Sequence, residues 1–117
     1  MTDSDEIRSL LQRYAETFDA RDGDAFGDLF TEDAVVVLGD RELVGRERLS
    51  KLVRSTPPGG EHRPGAATIE LHGQTASARQ AYAGTSFTGE EMSGLYEDEL
   101  RLTPTGWKFA RRVITFA

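Results

Sequence analysis

Cysteine is absent from the 117-residue sequence, which removes disulfides, thiolate metal sites and cysteine nucleophiles together. Basic residues are also short. Fourteen Lys plus Arg face 20 Asp plus Glu, and the resulting net charge of −6 repels a phosphate backbone, so no nucleic-acid partner is expected. Long apolar runs are missing too. The longest, Ala34–Leu38, falls far below the roughly 20 residues that span a bilayer. The acidic N terminus lacks the features of a signal peptide, so the chain reads as cytoplasmic, with no membrane partner. Neither His62 nor His72 has a partner at metal-ligand spacing and the carboxylates are scattered, so no metal is expected. With no nucleophile elbow, P-loop or dinucleotide glycine motif, no cofactor is expected either.

What remains is one domain over residues 1–117, with 38% apolar and 29% charged residues, long enough to bury a core but not two. Ile7, Leu10, Leu11, Tyr14, Ala15 and Phe18 form a single helical stripe, predicting a helix over about 4–20. Asp3 and Glu6 make a capping box at its start, and Gly23 offers a left-handed stop. Asp24 is placed to cap a short second helix carrying Phe26, Leu29 and Phe30. The β-branched run 34–38 predicts a strand covered on both faces, turned at Gly39-Asp40 into a short partner at 42–44. A third helix follows Gly45 and ends before Pro57-Pro58-Gly59-Gly60, with a loop expected to about Pro64. Period-two alternation then predicts an antiparallel meander with strands near 66–72, 75–87, 91–102 and 107–116. Helices first and a sheet afterwards make the class α+β, and helices covering one face of a twisted sheet leave a pocket at its open end.

Strict alternation indicates which side chains meet there. A turn at Pro104-Thr105 sets Leu102 opposite Trp107, Leu100 opposite Phe109, Asp98 opposite Arg111 and Tyr96 opposite Val113. A hairpin centred on Gly89 adds Gln80 beside Asp98, Tyr82 beside Tyr96 and Ala78 beside Leu100. Asp98 and Arg111 then lie on an apolar face. They are either a half-buried ion pair completed by Gln80, or, with the arginine turned to solvent, a neutral acid able to donate to an oxyanion. Tyr14 likewise reads either as a core residue with its hydroxyl at a boundary or as a second donor. Trp107 and Phe109 read as core packing.

The strings LLQRYAETFDARDGDAFGDLFTEDAVV and GLYEDELRLTPTGWKFARRVITF resemble the SnoaL-like branch of the NTF2-like superfamily, and the similarity covers nearly all of the chain. It implies a cone in which N-terminal helices pack on a curved antiparallel sheet. The superfamily includes ketosteroid isomerases, scytalone dehydratases, limonene epoxide hydrolases and polyketide cyclases, beside members that only bind ligands or assemble proteins, so fold alone selects no reaction. By that resemblance Tyr14 and Asp98 occupy the places of the two oxyanion donors of ketosteroid isomerase, one of the systems in which a protonated aspartate is well documented. The isomerase base position is filled by Leu38, which cannot abstract a proton. Asp40, two positions on, sits in a turn where a solvated side chain is the usual outcome. His62 stands where many SnoaL-like proteins carry a histidine ahead of the strand, although the asparagine that often follows four residues later is Ala66 here. The arginine flanked by two aspartates of the epoxide hydrolases is not evident.

The expectation is therefore an isomerase, cyclase or dehydratase acting on a hydrophobic carbonyl or polycyclic small molecule. Tyr14 and Asp98 are the catalytic candidates, and Phe18, Leu38, His62, Gln80, Tyr82, Tyr96 and Arg111 the substrate-binding ones. The alternative is a ligand-binding or dimerisation module without chemistry, with Leu38 as the trace of a lost base. Glu97, Glu99 and Arg101 on the outer sheet face read either as a solvated run or as part of a dimer surface, and a homodimer is expected.

Overall fold

The computed structural model describes residues 2–117. Helices α1 (Asp3–Asp19) and α2 (Gly23–Gly27) lead into strands β1 (Phe30–Leu38) and β2 (Arg41–Val44). Helix α3 (Arg46–Ser55) then precedes β3 (Glu61–His72), β4 (Thr75–Thr85), β5 (Glu91–Thr103) and β6 (Gly106–Phe116). The apolar stripe of α1 buries Ile7, Leu10, Leu11, Tyr14 and Ala15 as its spacing requires. Its capping box lies one residue earlier than expected. The Thr2 hydroxyl accepts from the Asp5 N–H at 3.1 Å while the Asp5 carboxylate accepts from the Thr2 N–H at 3.3 Å. Asp3 is used instead by the Trp107 indole, which donates to it at 3.1 Å and pins the start of the helix to β6. At the other end the left-handed residue is Arg21, at φ 57°, and not Gly23. A side chain rarely takes that conformation unless its surroundings hold it. Here the Arg21 guanidinium donates to the carbonyls of Phe18, Thr56 and Pro57. Asp22, not Asp24, caps α2, and Asp24 pairs with Arg54 at 2.8 Å.

The six strands form one sheet in the order β2-β1-β6-β5-β4-β3. The meander is antiparallel as expected, but β1 runs parallel to β6, so the sheet is mixed. That pairing sets β6 between β1 and β5, leaving β2 and β3 as edges. β3 starts at Glu61, inside the segment expected to be loop. An edge strand tolerates Pro64, and the register slips between Pro64 and Ala67.

Two registers differ from the strict alternation. In β5–β6 the pairs Leu102↔Trp107 and Leu100↔Phe109 stand, but a bulge follows at Ala110, beyond which Asp98 faces Arg112 and Tyr96 faces Ile114. One extra residue on β6 turns Arg112 inward and Arg111 outward, so the expected Asp98–Arg111 and Tyr96–Val113 pairs do not form. In β4–β5 the ladder is displaced by two, giving Ala78↔Asp98, Gln80↔Tyr96 and Tyr82↔Gly94. The Ser86 N–H donates to the Glu90 carbonyl at 2.8 Å, so the turn centres on Thr88 and not on Gly89. An even displacement changes the partners but keeps each side chain on its face.

Candidate active site

The inner face of the sheet is filled by side chains. Arg112 is the largest fully buried one, and its Nε and Nη2 donate to the two oxygens of Asp98 at 2.7 and 2.8 Å. The guanidinium lies 3.8 Å from the Tyr96 ring centre, 4.2 Å from that of Tyr14 and 4.6 Å from that of Phe109, a cation enclosed by aromatic faces. Burial pushes the Asp98 carboxyl up from its ordinary value, and the guanidinium in bidentate contact works against it. Arginine does not give up its proton, so the pair is carboxylate and guanidinium, and Asp98 accepts there. The structure thus realises the ion-pair reading of Asp98, with Arg112 in place of Arg111. Burial raises the Tyr14 and Tyr96 hydroxyls well above their ordinary value, so both stay phenols.

The remaining expected residues divide between this interior and other places. Tyr82 stacks on Tyr96 at 4.3 Å, and the Gln80 amide N–H donates to the Gly65 carbonyl at 2.9 Å. Leu38 is half-buried at the end of β1 opposite Ile114. Arg111 lines a groove of about 360 Å³ on the outer sheet face with Arg79, Glu70, Glu97 and Glu99.

At the mouth of the cone the sequence reading missed a residue. Asp19, at the end of α1, accepts from the His62 backbone N–H at 2.9 Å through Oδ2, and its Oδ1 lies 2.6 Å from the His62 Nδ1. A carboxylate only accepts, so the proton facing Asp19 sits on Nδ1, and in the neutral ring the lone pair is left on Nε2. Nε2 has no hydrogen-bond partner among the described residues. The ring packs 4.6 Å from Phe18 and 6.1 Å, edge-on, from Tyr14. His62 and Phe18 line a cleft of about 140 Å³ together with Arg21, Phe87 and Met92. Gly60 walls it closely, since a Cβ there would come within 2.8 Å of the Thr85 carbonyl. A histidine in a Pro/Gly-rich segment thus becomes an oriented imidazole beside a largely apolar cleft, and the residue orienting it lies 43 positions away. No local spacing announces such a pair. Tyr14 and Asp98 do not line this cleft.

Among the described residues no three His, Cys, Asp or Glu side chains converge as a metal site, and no helix is long and apolar enough to cross a membrane. Helices followed by a six-stranded, unclosed mixed sheet define an α+β cone fold. The SnoaL-like domain model matches residues 1–113, and the chain belongs to that family, within the NTF2-like superfamily. Rv2910c of Mycobacterium tuberculosis, an uncharacterized protein, is 29% identical over 98% of this chain and 86% of its own length. The structure of an NTF2-like protein from Novosphingobium aromaticivorans superposes with a TM-score of 0.86 at 28% identity, covering 97% of this chain and 81% of that one. A second structure from that organism, provisionally named a scytalone dehydratase, gives 0.87 at 21% identity over 97% and 83% of the two chains, a likeness of fold.

Proposed function

We propose that this protein is a small-molecule enzyme of the isomerase, cyclase or dehydratase type, acting on a hydrophobic carbonyl compound, with His62 as the proton carrier. The observation that carries the reading is the grip of Asp19 on His62 beside an apolar cleft. Nε2 takes a proton from the carbon next to the substrate carbonyl, leaving an enolate and an imidazolium whose charge Asp19 stabilises. The imidazolium then returns the proton to another carbon, completing an isomerisation, or gives it to a departing hydroxyl as water, completing a dehydration. The base missing at Leu38 is in this way supplied from β3. Tyr14 and Asp98 hold the aromatic floor around Arg112 and do not touch substrate. The volume of the cleft favours one ring over a polycyclic compound.

The filled interior supports a second reading, a ligand-binding module without turnover. Deuterium incorporation from heavy water into cyclohexenone and related one-ring ketones separates the two. Exchange that falls by about a hundredfold or more in His62→Gln supports the enzyme. Ketones that bind without exchanging support the module. We also propose a homodimer through the outer face, where Arg79 and Arg111 beside Glu70, Glu97 and Glu99 give a charge pattern that a two-fold copy can match. Sedimentation equilibrium tests it, and a monomer at micromolar concentration overturns it.

A further inference from the structure

One charged side chain lining the cleft has no ion-pair partner among the described residues. Asp19 is engaged by His62, and Glu61 and Glu91 are held by Arg63 at 2.6 and 2.7 Å, so these three carboxylates lining or adjoining the cleft all have partners. Arg21 is different. Its Nε donates to the carbonyls of Thr56 and Pro57, Nη1 to that of Phe18 and Nη2 to that of Pro57, which uses three of the five N–H groups a guanidinium offers. No carboxylate lies within ion-pair distance of it among the described residues. The carbonyls and the left-handed backbone fix the group where it stands, 5.4 Å from the Phe18 ring centre. A fixed cation with spare donors therefore borders the cleft that His62 enters.

The rest of the lining sets size and polarity. A cavity of about 150 Å³ lined by apolar side chains accepts benzene, and this cleft encloses about 140 Å³. Phe18 and Met92 are part of its wall, and Phe87, 51% exposed on the β4–β5 turn, forms its rim. A largely apolar slot one ring in size, with one guanidinium that has spare donors and no carboxylate partner, has a specific complement.

We infer that the ligand is a single-ring carbonyl compound that also bears a carboxylate, its ring between Phe18, Phe87 and Met92 and its carboxylate on the free N–H groups of Arg21. The inference rests on the cleft being the functional site, and it names the substrate class for that site. A bidentate guanidinium–carboxylate contact selects a planar anion over a neutral amide of the same shape, whereas the aromatic contacts treat the two alike.

Calorimetric titration of the wild-type protein with benzoate, benzamide and benzyl alcohol tests this, with His62 and Phe18 resonances followed by NMR. Benzoate is expected to bind about tenfold or more tightly than benzamide, as a charge-assisted contact warrants, with the preference shrinking at high salt. Arg21→Asn, a residue that accepts the left-handed backbone, is expected to abolish the preference while keeping the melting transition cooperative. Should that variant fail to fold, Phe87→Ala leaves the carbonyl contacts of Arg21 intact and is expected to weaken benzoate and benzamide equally. Equal binding of benzoate and benzamide, with His62 perturbed by both, overturns the carboxylate class and leaves the cleft as the site. If neither perturbs His62 while neutral ketones still exchange in a His62-dependent way, the ligand class is again wrong. Absence of both binding and exchange overturns both readings.

Discussion

Asp19 holds His62 at two points, accepting from its backbone N–H at 2.9 Å and meeting its Nδ1 at 2.6 Å. The first contact fixes the start of β3 against the end of α1, and the second sets the orientation and tautomer of the ring. Nitrogen NMR is expected to show His62 protonated at Nδ1 in the neutral wild-type protein. In Asp19→Ala the population is expected to move toward the Nε2-protonated form that prevails without a partner. An unchanged tautomer would remove Asp19 from the account.

The Asp98–Arg112 pair is sealed from solvent, both side chains being 0% exposed, so removing one partner leaves an uncompensated buried charge. Asp98→Asn is expected to cost on the order of 3–5 kcal/mol in urea unfolding. Replacing both partners with apolar residues, Asp98→Leu with Arg112→Met, is expected to recover much of that loss. A single-variant cost near zero would mean that the pair contributes nothing to the floor.

Gly94 in β5 backs onto Tyr82 and the Thr115 carbonyl, and a Cβ there would collide with that backbone oxygen. Gly94→Ala is expected to destabilise by about 1–3 kcal/mol through displaced strands. The Tyr82–Tyr96 stack should loosen with it, visible as changed near-ultraviolet circular dichroism.

Glu91 accepts from the Thr85 hydroxyl at 2.7 Å and from Arg63 at 2.7 Å, and these contacts hold its carboxyl below the ordinary value, the hydroxyl being the larger influence. A lowered folded-state value means that its contribution is present above the ordinary carboxylate range and is lost as pH falls toward the folded value. The stability of Glu91→Gln is therefore expected to fall less steeply than that of wild type on acidification, as pH-dependent melting would show. Since the group is exposed, the effect is one of slope and is screened by salt.

Much of the frame was legible because it depends on periodicity. The α1 stripe and the alternation of β4, β5 and β6 place Tyr14, Gln80, Tyr82, Tyr96 and Asp98 on the inner face, where they are found. The partner of Asp98 was not legible, because one bulged residue, Ala110, exchanges Arg111 for Arg112, and an Ala-Arg-Arg string carries no mark of where the extra residue sits. The parallel pairing of β1 with β6 was hidden for another reason: it joins elements far apart in sequence through backbone groups alone. The same distance hid the candidate site. His62 drew attention by residue type, whereas Asp19 looked like one more acid at a helix end until β3, beginning earlier than its prolines suggested, brought His62 against it.

In the proposed function, proton transfer belongs to His62 at the mouth of the cone and not to the Tyr14–Asp98 pair in its floor. The most direct test is deuterium incorporation into one-ring carbonyl compounds measured side by side for wild type, His62→Gln and Tyr14→Phe. A loss of about a hundredfold or more is expected in His62→Gln and a change of only a few-fold in Tyr14→Phe. Exchange that survives in His62→Gln but collapses in Tyr14→Phe would contradict the proposal and return the chemistry to the interior of the cone.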